Sequence, residues 1–469
     1  MLFSLPTTLN ALLTFLLSSS DGSGPPTVVP TSHSKPLTFH LRHHHATTKD
    51  TRNIFADVSP SSLSSLAPDE EASFTLSPTR IHVPRPPSHE AFTTARLNSF
   101  YGIQESLDWK DVEVGGPDVE DREVLLTLAK MTSNSYYEPG HAEWYDLGDN
   151  WNKTKPFGWD PDADGFRGHL FVSEDNSTVI ISVKGTSAGW IVGGGGPTTR
   201  KDKLNDNLLF SCCCARVGPT WSTVCDCFSS GYRCDQTCVE RALADDGLFY
   251  PIGTNLYNNV TYMYPSANIW LTGHSLGGAL ASLVGATFGA PVVTFEAVPE
   301  RMAARRLHLP SPPSVLHITH VYNTADPIAM GTCNGVSSLC AIAGFAMESR
   351  CHQGQVIRFD TVSELGWSVA LGNHAIKVIV DKLLATDGDW ASSVPAPTLQ
   401  SNEAAWFSGL WPGWGKDKDK EEEKKKLRKV PKPRMASEVE GGEDGECSDC
   451  FSWEFGDYKN LTNQGLLGL

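Results

Sequence analysis

One stretch of the chain decides the fold: Asn268-Ile-Trp-Leu-Thr-Gly-His-Ser-Leu-Gly-Gly-Ala-Leu-Ala281. Its apolar first half predicts a strand, its small-residue second half predicts a helix, and a complete Gly-x-Ser-x-Gly lies at the turn between them. Gly273 and Gly277 remove the side chains that would collide where the backbone doubles back. The helix that begins at Leu276 directs free backbone N–H groups towards Ser275. The order of strand, serine and helix therefore predicts a nucleophile at Ser275.

A serine hydroxyl is a weak nucleophile unless a histidine accepts its proton and a carboxylate orients that histidine. When the nucleophile lies on a strand–helix turn, the chain order is serine, acid and histidine, with the acid in a loop after a later strand. Asp326 fits this order, because it follows the apolar strand His317–Tyr322 and Pro327 stiffens its loop. Asp360 is the weaker candidate, since too little chain follows it before a histidine that could act as the base.

The base is chosen by elimination among the histidines of the core from the turn onwards, which are His274, His308, His317, His320, His352 and His374. Four of them precede the acid, and His352 directly follows Cys351 in a loop bounded by cysteines. His374 follows Asp326 by 48 residues and is the predicted base. The tetrahedral intermediate also needs two N–H donors. We assign these to Leu276 and to Thr186, which lies in the turn that ends the strand Thr178–Lys184.

Strands and helices alternate around this motif. His169–Ser173 and Thr178–Lys184 predict a hairpin, Pro291–Phe295 a further strand, and Val119–Tyr136 and Asn373–Leu384 two helices. This alternation predicts an α/β fold over residues 93–390, with a mostly parallel sheet and helices on both faces. A cysteine-rich insertion, residues 190–245, interrupts it. We expect this insertion to act as a lid, because Gly193–Gly196 near its start can serve as a hinge.

The two ends of the chain have a different composition. The apolar residues 1–18 are expected to be a signal peptide or signal anchor. Residues 19–92 are rich in Pro, Ser, Thr and His and predict an extended lumenal lead-in, and residues 391–469 predict a largely disordered tail. Within that tail, Lys416–Arg434 carries a net charge of +5, whereas the remaining 450 residues carry −21. A body this acidic repels phosphate backbones, so nucleic-acid binding is excluded as the main activity.

Cysteine usage indicates an oxidising compartment. Seven of the 12 cysteines lie between Cys212 and Cys238, a crowding that fits disulfides better than zinc, because paired C-x2-C ligands are missing from it. No metal and no cofactor is predicted. Four N-x-S/T tripeptides add support for the secretory pathway and are candidate glycosylation sites, at Asn152, Asn176, Asn259 and Asn460.

Several segments together resemble the fungal class 3 lipases. These are Lys184-Gly-Thr186 and Gly273–Ala281, and, more narrowly, Asp206–Cys214, Thr220–Cys227, Leu256–Tyr264 and His320–Met330, which look like the vacuolar autophagic-body lipases of fungi. The resemblance covers about residues 90–390. It implies an α/β-hydrolase fold and a catalytic triad of Ser275, Asp326 and His374.

The resemblance further implies a lipase and phospholipase that acts on membrane phospholipids and neutral lipids of autophagic bodies and other vesicles in the vacuole. It implies passage through the endoplasmic reticulum and multivesicular bodies, either as a single-pass type II membrane protein or as a soluble protein of the secretory pathway. Two alternatives stay open: a serine acyltransferase or peptidase with the same triad, and a non-catalytic membrane-binding glycoprotein of the same fold.

Overall fold

A computed structural model of the chain describes residues 37–48, 53–57, 75–76, 78–103, 106–137, 141–145, 163–187, 198–215, 223–245, 248–335, 337–386, 430–441 and 446–458. The chain divides into Met1–His33, which lies outside these ranges, and Ser34–Leu469, to which the following description applies. Within the described ranges, no helix combines the length and the apolar character needed to cross a bilayer. The predicted signal segment, residues 1–18, lies outside the described residues.

The described strands are β1 (Leu37–Thr48), β2 (Asn53–Asp57), β3 (Thr75–Leu76), β4 (Pro78–Arg85), β5 (Lys110–Pro117), β6 (Ala163–Ser173), β7 (Thr178–Val183), β8 (Arg233–Asp235), β9 (Asn268–His274), β10 (Val292–Phe295), β11 (Ile318–Asn323), β12 (Gln355–Phe359), β13 (Arg434–Met435) and β14 (Glu454–Gly456). The main sheet has the order β13-β12-β11-β10-β9-β7-β6-β1-β2, and β3 pairs with β1. Its centre, from β7 to β12, is parallel. The strands at both sides are antiparallel.

The described helices are α1 (His89–Phe100), α2 (Arg122–Asn134), α3 (Thr199–Phe210), α4 (Gln236–Ala242), α5 (Phe249–Met263), α6 (Leu276–Phe288), α7 (Arg301–Arg306), α8 (Leu339–Ile342), α9 (Thr361–Leu365) and α10 (Ala436–Glu440). A 3₁₀ turn, Leu371–His374, and a π-helical segment, Val378–Leu384, precede the long gap before residue 430. The predicted helix Asn373–Leu384 is therefore wrong in part. The reason is Ala375, whose backbone is extended and separates the two segments.

Alternate residues of the central strands face opposite sides of the sheet, as the geometry of a strand requires. On β7, Val179 and Ile181 pack in the same cluster as α5 and α6. Ile180, between them, packs with α2 and the π-helical segment on the other face. On β9, Leu271 and Trp270 divide in the same way. The prediction of an α/β fold with helices on both faces is confirmed.

The fold begins earlier than the predicted boundary at residue 93. β1 pairs along its length with β6, and β4 pairs with β5, so the predicted lead-in 19–92 contributes strands to the domain. The prediction was wrong because it treated a polar composition as unable to fold. β1 is held by the backbone hydrogen bonds of an antiparallel ladder, which do not depend on an apolar sequence.

The predicted tail 391–469 is likewise partly folded. Residues 430–441 and 446–458 carry β13, α10 and β14, and β13 adds to the edge of the main sheet at β12. Two disulfides, Cys212–Cys450 and Cys351–Cys447, tie this segment to the domain. Sequence composition cannot reveal such a return, because its partners lie 96 and 238 residues away.

All 12 cysteines form disulfides, which confirms the disulfide prediction. Besides the two above, the pairs are Cys213–Cys234, Cys214–Cys225, Cys227–Cys238 and Cys333–Cys340. Three of the six therefore lie within the predicted insertion 190–245. Its helix α3 is not peripheral, since Leu208, Leu209 and Phe210 are buried in the core. Gly193–Gly196, the predicted hinge, lies outside the described residues.

Candidate active site

Ser275 lies on the sharp turn between β9 and α6. Its backbone is in the left-handed region, with φ 57°, which a non-glycine residue adopts only when its surroundings require it. A Cβ at Gly277 would lie 2.4 Å from the Val183 carbonyl oxygen, and one at Gly273 would lie 2.4 Å from the Gly277 carbonyl oxygen. Only glycine fits at these two positions, so the two glycines allow the strained turn to form.

The structure brings the three predicted catalytic residues together. His374 Nε2 lies 2.9 Å from Ser275 Oγ, and His374 Nδ1 lies 2.7 Å from Asp326 Oδ2. All three residues are buried. Because the carboxylate accepts a hydrogen bond from Nδ1–H, Nε2 is left as the acceptor for the serine proton. This is the arrangement that nucleophilic catalysis by a serine requires.

Asp326 is held in its ionised form. Burial alone would raise the pKa of its carboxyl, but the neighbouring His374 ring and hydrogen bonds, including one from the Ile328 N–H, hold this pKa below its ordinary value. Asp360, the weaker candidate, lies outside the triad. It caps α9 by accepting a hydrogen bond from the Ser363 N–H, which is a structural role.

A second carboxyl, Glu296, lies beside Asp326 and was not predicted. It follows β10 with φ 45° and is fully buried. Burial and the negative charge of Asp326 raise the pKa of Glu296 well above its ordinary value, so it holds a proton. Asn323 donates its Nδ2–H to Glu296 Oε1 at 2.7 Å and fixes the side chain. A neutral acid at this point places no second negative charge beside Asp326.

A chain of hydrogen bonds connects His374 to Gly185, and it was also not predicted. His274 Nε2 lies 2.7 Å from the His374 carbonyl oxygen, so this nitrogen carries the proton and donates it. Burial lowers the pKa of His274 to about 3, and its Nδ1 therefore accepts the Tyr136 hydroxyl proton at 2.6 Å. The Tyr136 oxygen in turn accepts the Gly185 N–H at 3.0 Å. The sequence signal that could have indicated this chain was the histidine at the first variable position of the Gly-x-Ser-x-Gly motif, His274.

The predicted oxyanion donors lie on the two sides of the nucleophile. Leu276 is the first residue of α6, and Thr186 follows Gly185, whose added Cβ would lie 3.0 Å from Ser275 Cβ. Within the described part of the chain, neither residue's backbone N–H donates to a protein acceptor. The Thr186 hydroxyl donates to Asp206 Oδ2 at 2.6 Å and fixes this turn against α3. Both N–H groups are free for a developing negative charge, although their role as donors stays a prediction.

The carboxyls of α3 near Thr186 are themselves unusual. Burial raises the pKa of Asp206 to about 8, and burial also raises the pKa of Asp202. Lys184 Nζ lies 3.6 Å from Asp202 Oδ2, and both side chains are buried. The insertion therefore contributes two buried carboxyls, Asp202 and Asp206, next to the predicted oxyanion turn.

The candidate glycosylation sites divide by position. Asn176 lies exposed in the turn between β6 and β7, and Asn259 lies exposed on α5. Asn152 and Asn460 lie outside the described residues. Glycosylation at all four stays a prediction.

Comparison with known proteins gives a consistent result. The family profile described as lipase (class 3) matches residues 248–330, which include Ser275 and Asp326. A protein of Cryptococcus neoformans var. neoformans serotype D (strain B-3501A), named "Putative lipase ATG15", is 52% identical over 378 residues, 75% of this chain and 71% of the relative. One of the same name from Mycosarcoma maydis is 47% identical over 368 residues, 75% of this chain and 69% of the relative.

Among solved structures, a triacylglycerol lipase from Penicillium expansum matches with 16% identity and a TM-score of 0.26 over 51% of this chain and 80% of that chain.

Proposed function

This chain belongs to the fungal ATG15 family of class 3 lipases, and we propose that Ser275, Asp326 and His374 hydrolyse the acyl esters of glycerolipids. One observation carries the proposal: His374 connects Ser275 Oγ at 2.9 Å with Asp326 Oδ2 at 2.7 Å inside a buried site. A histidine held between a serine and an ionised carboxylate has the geometry of a general base.

The reaction has two halves. His374 Nε2 accepts the Ser275 proton while Oγ attacks the ester carbonyl, and the N–H groups of Thr186 and Leu276 stabilise the oxyanion. The imidazolium, stabilised by Asp326, then gives its proton to the leaving alcohol, and an acyl-enzyme results. Water, deprotonated by the same nitrogen, releases the fatty acid and restores the serine.

The substrate class is proposed from the family. We expect the enzyme to act on both membrane phospholipids and neutral lipids, and thereby to break down autophagic bodies and other vesicles inside the vacuole. Membership of the class 3 lipases supports a lipase and does not specify its substrate. Hydrolysis of phospholipid is therefore proposed in addition.

The compartment is proposed on the same basis. Six disulfides support folding in an oxidising lumen. We propose a route through the endoplasmic reticulum and endosome or multivesicular body to the vacuole lumen, with residues 1–18 either removed or kept as a type II anchor. Carbonate extraction of membranes from expressing cells separates the two: a retained anchor stays in the pellet, and a soluble protein does not.

The test combines labelling with product release. Purified wild type and His374→Ala are treated with a fluorophosphonate and assayed for fatty-acid release from phosphatidylcholine–phosphatidylserine vesicles and from a triacylglycerol emulsion. We expect wild type to be labelled and active on both, and His374→Ala to lose at least about 10⁴-fold in rate. His317→Ala, which changes a buried histidine just before β11, is the matched control and is expected to keep activity.

The rival functions are outcomes of this test. Release from the emulsion but not from vesicles limits the enzyme to neutral lipids. Labelling without any fatty-acid release is followed by an assay on peptide substrates, and their cleavage indicates a peptidase. An unlabelled wild type, or a Ser275→Ala variant as active as wild type, removes the catalytic role of the triad and leaves the membrane-binding glycoprotein.

A further inference from the structure

A buried cluster of metal-type ligands lies outside the catalytic triad. Glu300 precedes α7, His320 lies within β11, and His352 precedes β12, and all three side chains are buried. One ligand atom from each lies within 4.8 Å of the others. The described part of the chain holds a second such group, formed by three cysteines of the insertion, but its sulfurs are already used in disulfides.

The spacing in the cluster fits a metal better than a hydrogen bond. His320 Nε2 lies 3.4 Å from Glu300 Oε1, beyond the usual range for a good N–H···O bond. Two donors of one tetrahedral zinc, with bonds of about 2.0–2.1 Å, are separated by about 3.4 Å. In addition, His320 Nε2 and Glu300 Oε2 are buried with no hydrogen-bond partner. A polar atom in that state destabilises the fold, so a missing partner is expected there.

The outer contacts orient each ligand as in known metal sites. The Thr294 hydroxyl lies 2.7 Å from His320 Nδ1, and Glu440 Oε1 lies 2.6 Å from His352 Nδ1. The Ser282 hydroxyl donates to Glu300 Oε1 at 2.6 Å. The hydrogen bond at Nδ1 fixes the orientation of each ring, and a carboxylate partner strengthens the ligand.

We propose that Glu300, His320 and His352 bind one Zn²⁺, through a carboxylate oxygen and the two Nε2 atoms. His352 Nε2 now lies 3.1 Å from the Ala297 carbonyl oxygen and donates a proton to it, and this proton leaves to solvent when the metal binds. The Ala297 carbonyl oxygen or a water completes the coordination. Zinc is favoured because the donors are two nitrogens and one oxygen.

Charge supports the same assignment. The site holds two carboxylates, Glu300 and Glu440, which one Zn²⁺ neutralises. His352 also forms part of the wall of a cavity of about 280 Å³, lined in addition by Arg301, Gln353 and Ser437. Because Glu440 belongs to α10, the metal would fasten the returning C-terminal segment to β10, β11 and β12.

The test uses the full chain, secreted and purified without an affinity tag. Wild type, His320→Asn and Thr294→Val are equilibrated with Zn²⁺, freed of loosely bound metal by gel filtration, and measured for zinc content by mass spectrometry and for thermal unfolding with and without EDTA. His317→Asn is the matched control, since it changes a buried histidine three residues from His320 that is not part of the cluster. The tract His43–His45 is present in all four proteins, so any zinc it holds is a constant background.

We expect wild type to hold one zinc more than His320→Asn, and EDTA to lower the unfolding temperature of wild type and His317→Asn but not of His320→Asn. Thr294→Val, which removes only an outer contact, is expected to bind zinc about 10–100-fold more weakly. Ca²⁺ should give no shift, because it prefers oxygen ligands. Equal zinc in wild type and His320→Asn, or an EDTA effect that is absent from wild type, overturns the proposal and leaves a network of ion pairs only.

Discussion

Tyr136→Phe tests whether the hydrogen-bond chain behind the triad positions the base. The substitution removes one oxygen atom and keeps the ring, which packs edge-on against the His274 ring. The Tyr136 hydroxyl donates its hydrogen to His274 Nδ1 at 2.6 Å, and its oxygen accepts a hydrogen bond from the Gly185 N–H at 3.0 Å. His274 in turn donates its Nε2–H to the His374 carbonyl oxygen. The variant therefore interrupts the connection between the oxyanion turn and the segment that carries the base.

The expected loss of stability follows from the two groups that lose their hydrogen-bond partner, His274 Nδ1 and the Gly185 N–H. A buried donor or acceptor left without a hydrogen bond costs about 1–3 kcal/mol, so the free energy of unfolding should fall by about 2–6 kcal/mol. For a domain of this size, each kcal/mol lowers the unfolding temperature by about 2–4 °C. Activity should fall through kcat, with KM nearly unchanged, because Tyr136 bonds His274 and Gly185 and none of the reacting atoms.

The assay is fatty-acid release from phospholipid vesicles, with thermal unfolding of the same preparations. Tyr137→Phe is the control, since Tyr137 is the adjacent, half-buried tyrosine and within the described residues its hydroxyl makes no hydrogen bond. A loss of kcat of about 10-fold or more in Tyr136→Phe at a temperature where both variants are folded supports the reasoning. If Tyr136→Phe and Tyr137→Phe unfold at the same temperature and share one kcat, the chain does not position the base and the reasoning is wrong.

Substitutions at four further places test other features of the structure. Thr186→Val removes the hydroxyl that donates to Asp206 and should lower kcat by about 10–100-fold, whereas Thr186→Ser should stay within a few-fold of wild type. Burial raises the pKa of Asp206 to about 8, so ionisation of this carboxyl lowers the stability of the folded protein as pH rises from about 4 to 8. Asp206→Asn should therefore stabilise the protein against urea unfolding at about pH 9 but not at about pH 4. Replacing Cys351 and Cys447 together by alanine should cost about 2–4 kcal/mol, measured by thermal unfolding. Burial lowers the pKa of His169 to about 4, so this residue makes stability fall as pH drops below about 6.5, and His169→Gln should flatten the dependence of the unfolding temperature on pH in that range.

The proximity of Ser275, Asp326 and His374 could be predicted from the sequence because it follows from the order of the strands. Parallel strands place their carboxyl ends at one edge of a sheet, so a loop after β9 and a loop after β11 must meet there. Ser275 and Asp326 were therefore brought together by the order of their strands alone. His374 needed only to follow Asp326, and its position at the end of a short turn, instead of in a long helix, did not affect the outcome.

The missed parts depend on contacts that no local pattern carries. β1 joins the sheet by pairing with β6, which lies more than a hundred residues further along the chain. The C-terminal segment returns through two disulfides and the contact between His352 and Glu440. Polar composition is a guide to how much surface a segment can bury alone, but it says nothing about a partner supplied by a distant strand.

Glu296 shows why the neighbour of a catalytic carboxylate is hard to predict. Two carboxyls buried side by side cannot both be ionised at moderate cost, so one holds a proton. Asp326 has the His374 ring and the Ile328 N–H to stabilise its charge, whereas Glu296 has the amide groups of Asn323. The proton therefore resides on Glu296 and the charge on Asp326, beside the His374 ring. The sequence contains both acids, but only their unequal hydrogen-bond partners decide which of them carries the charge.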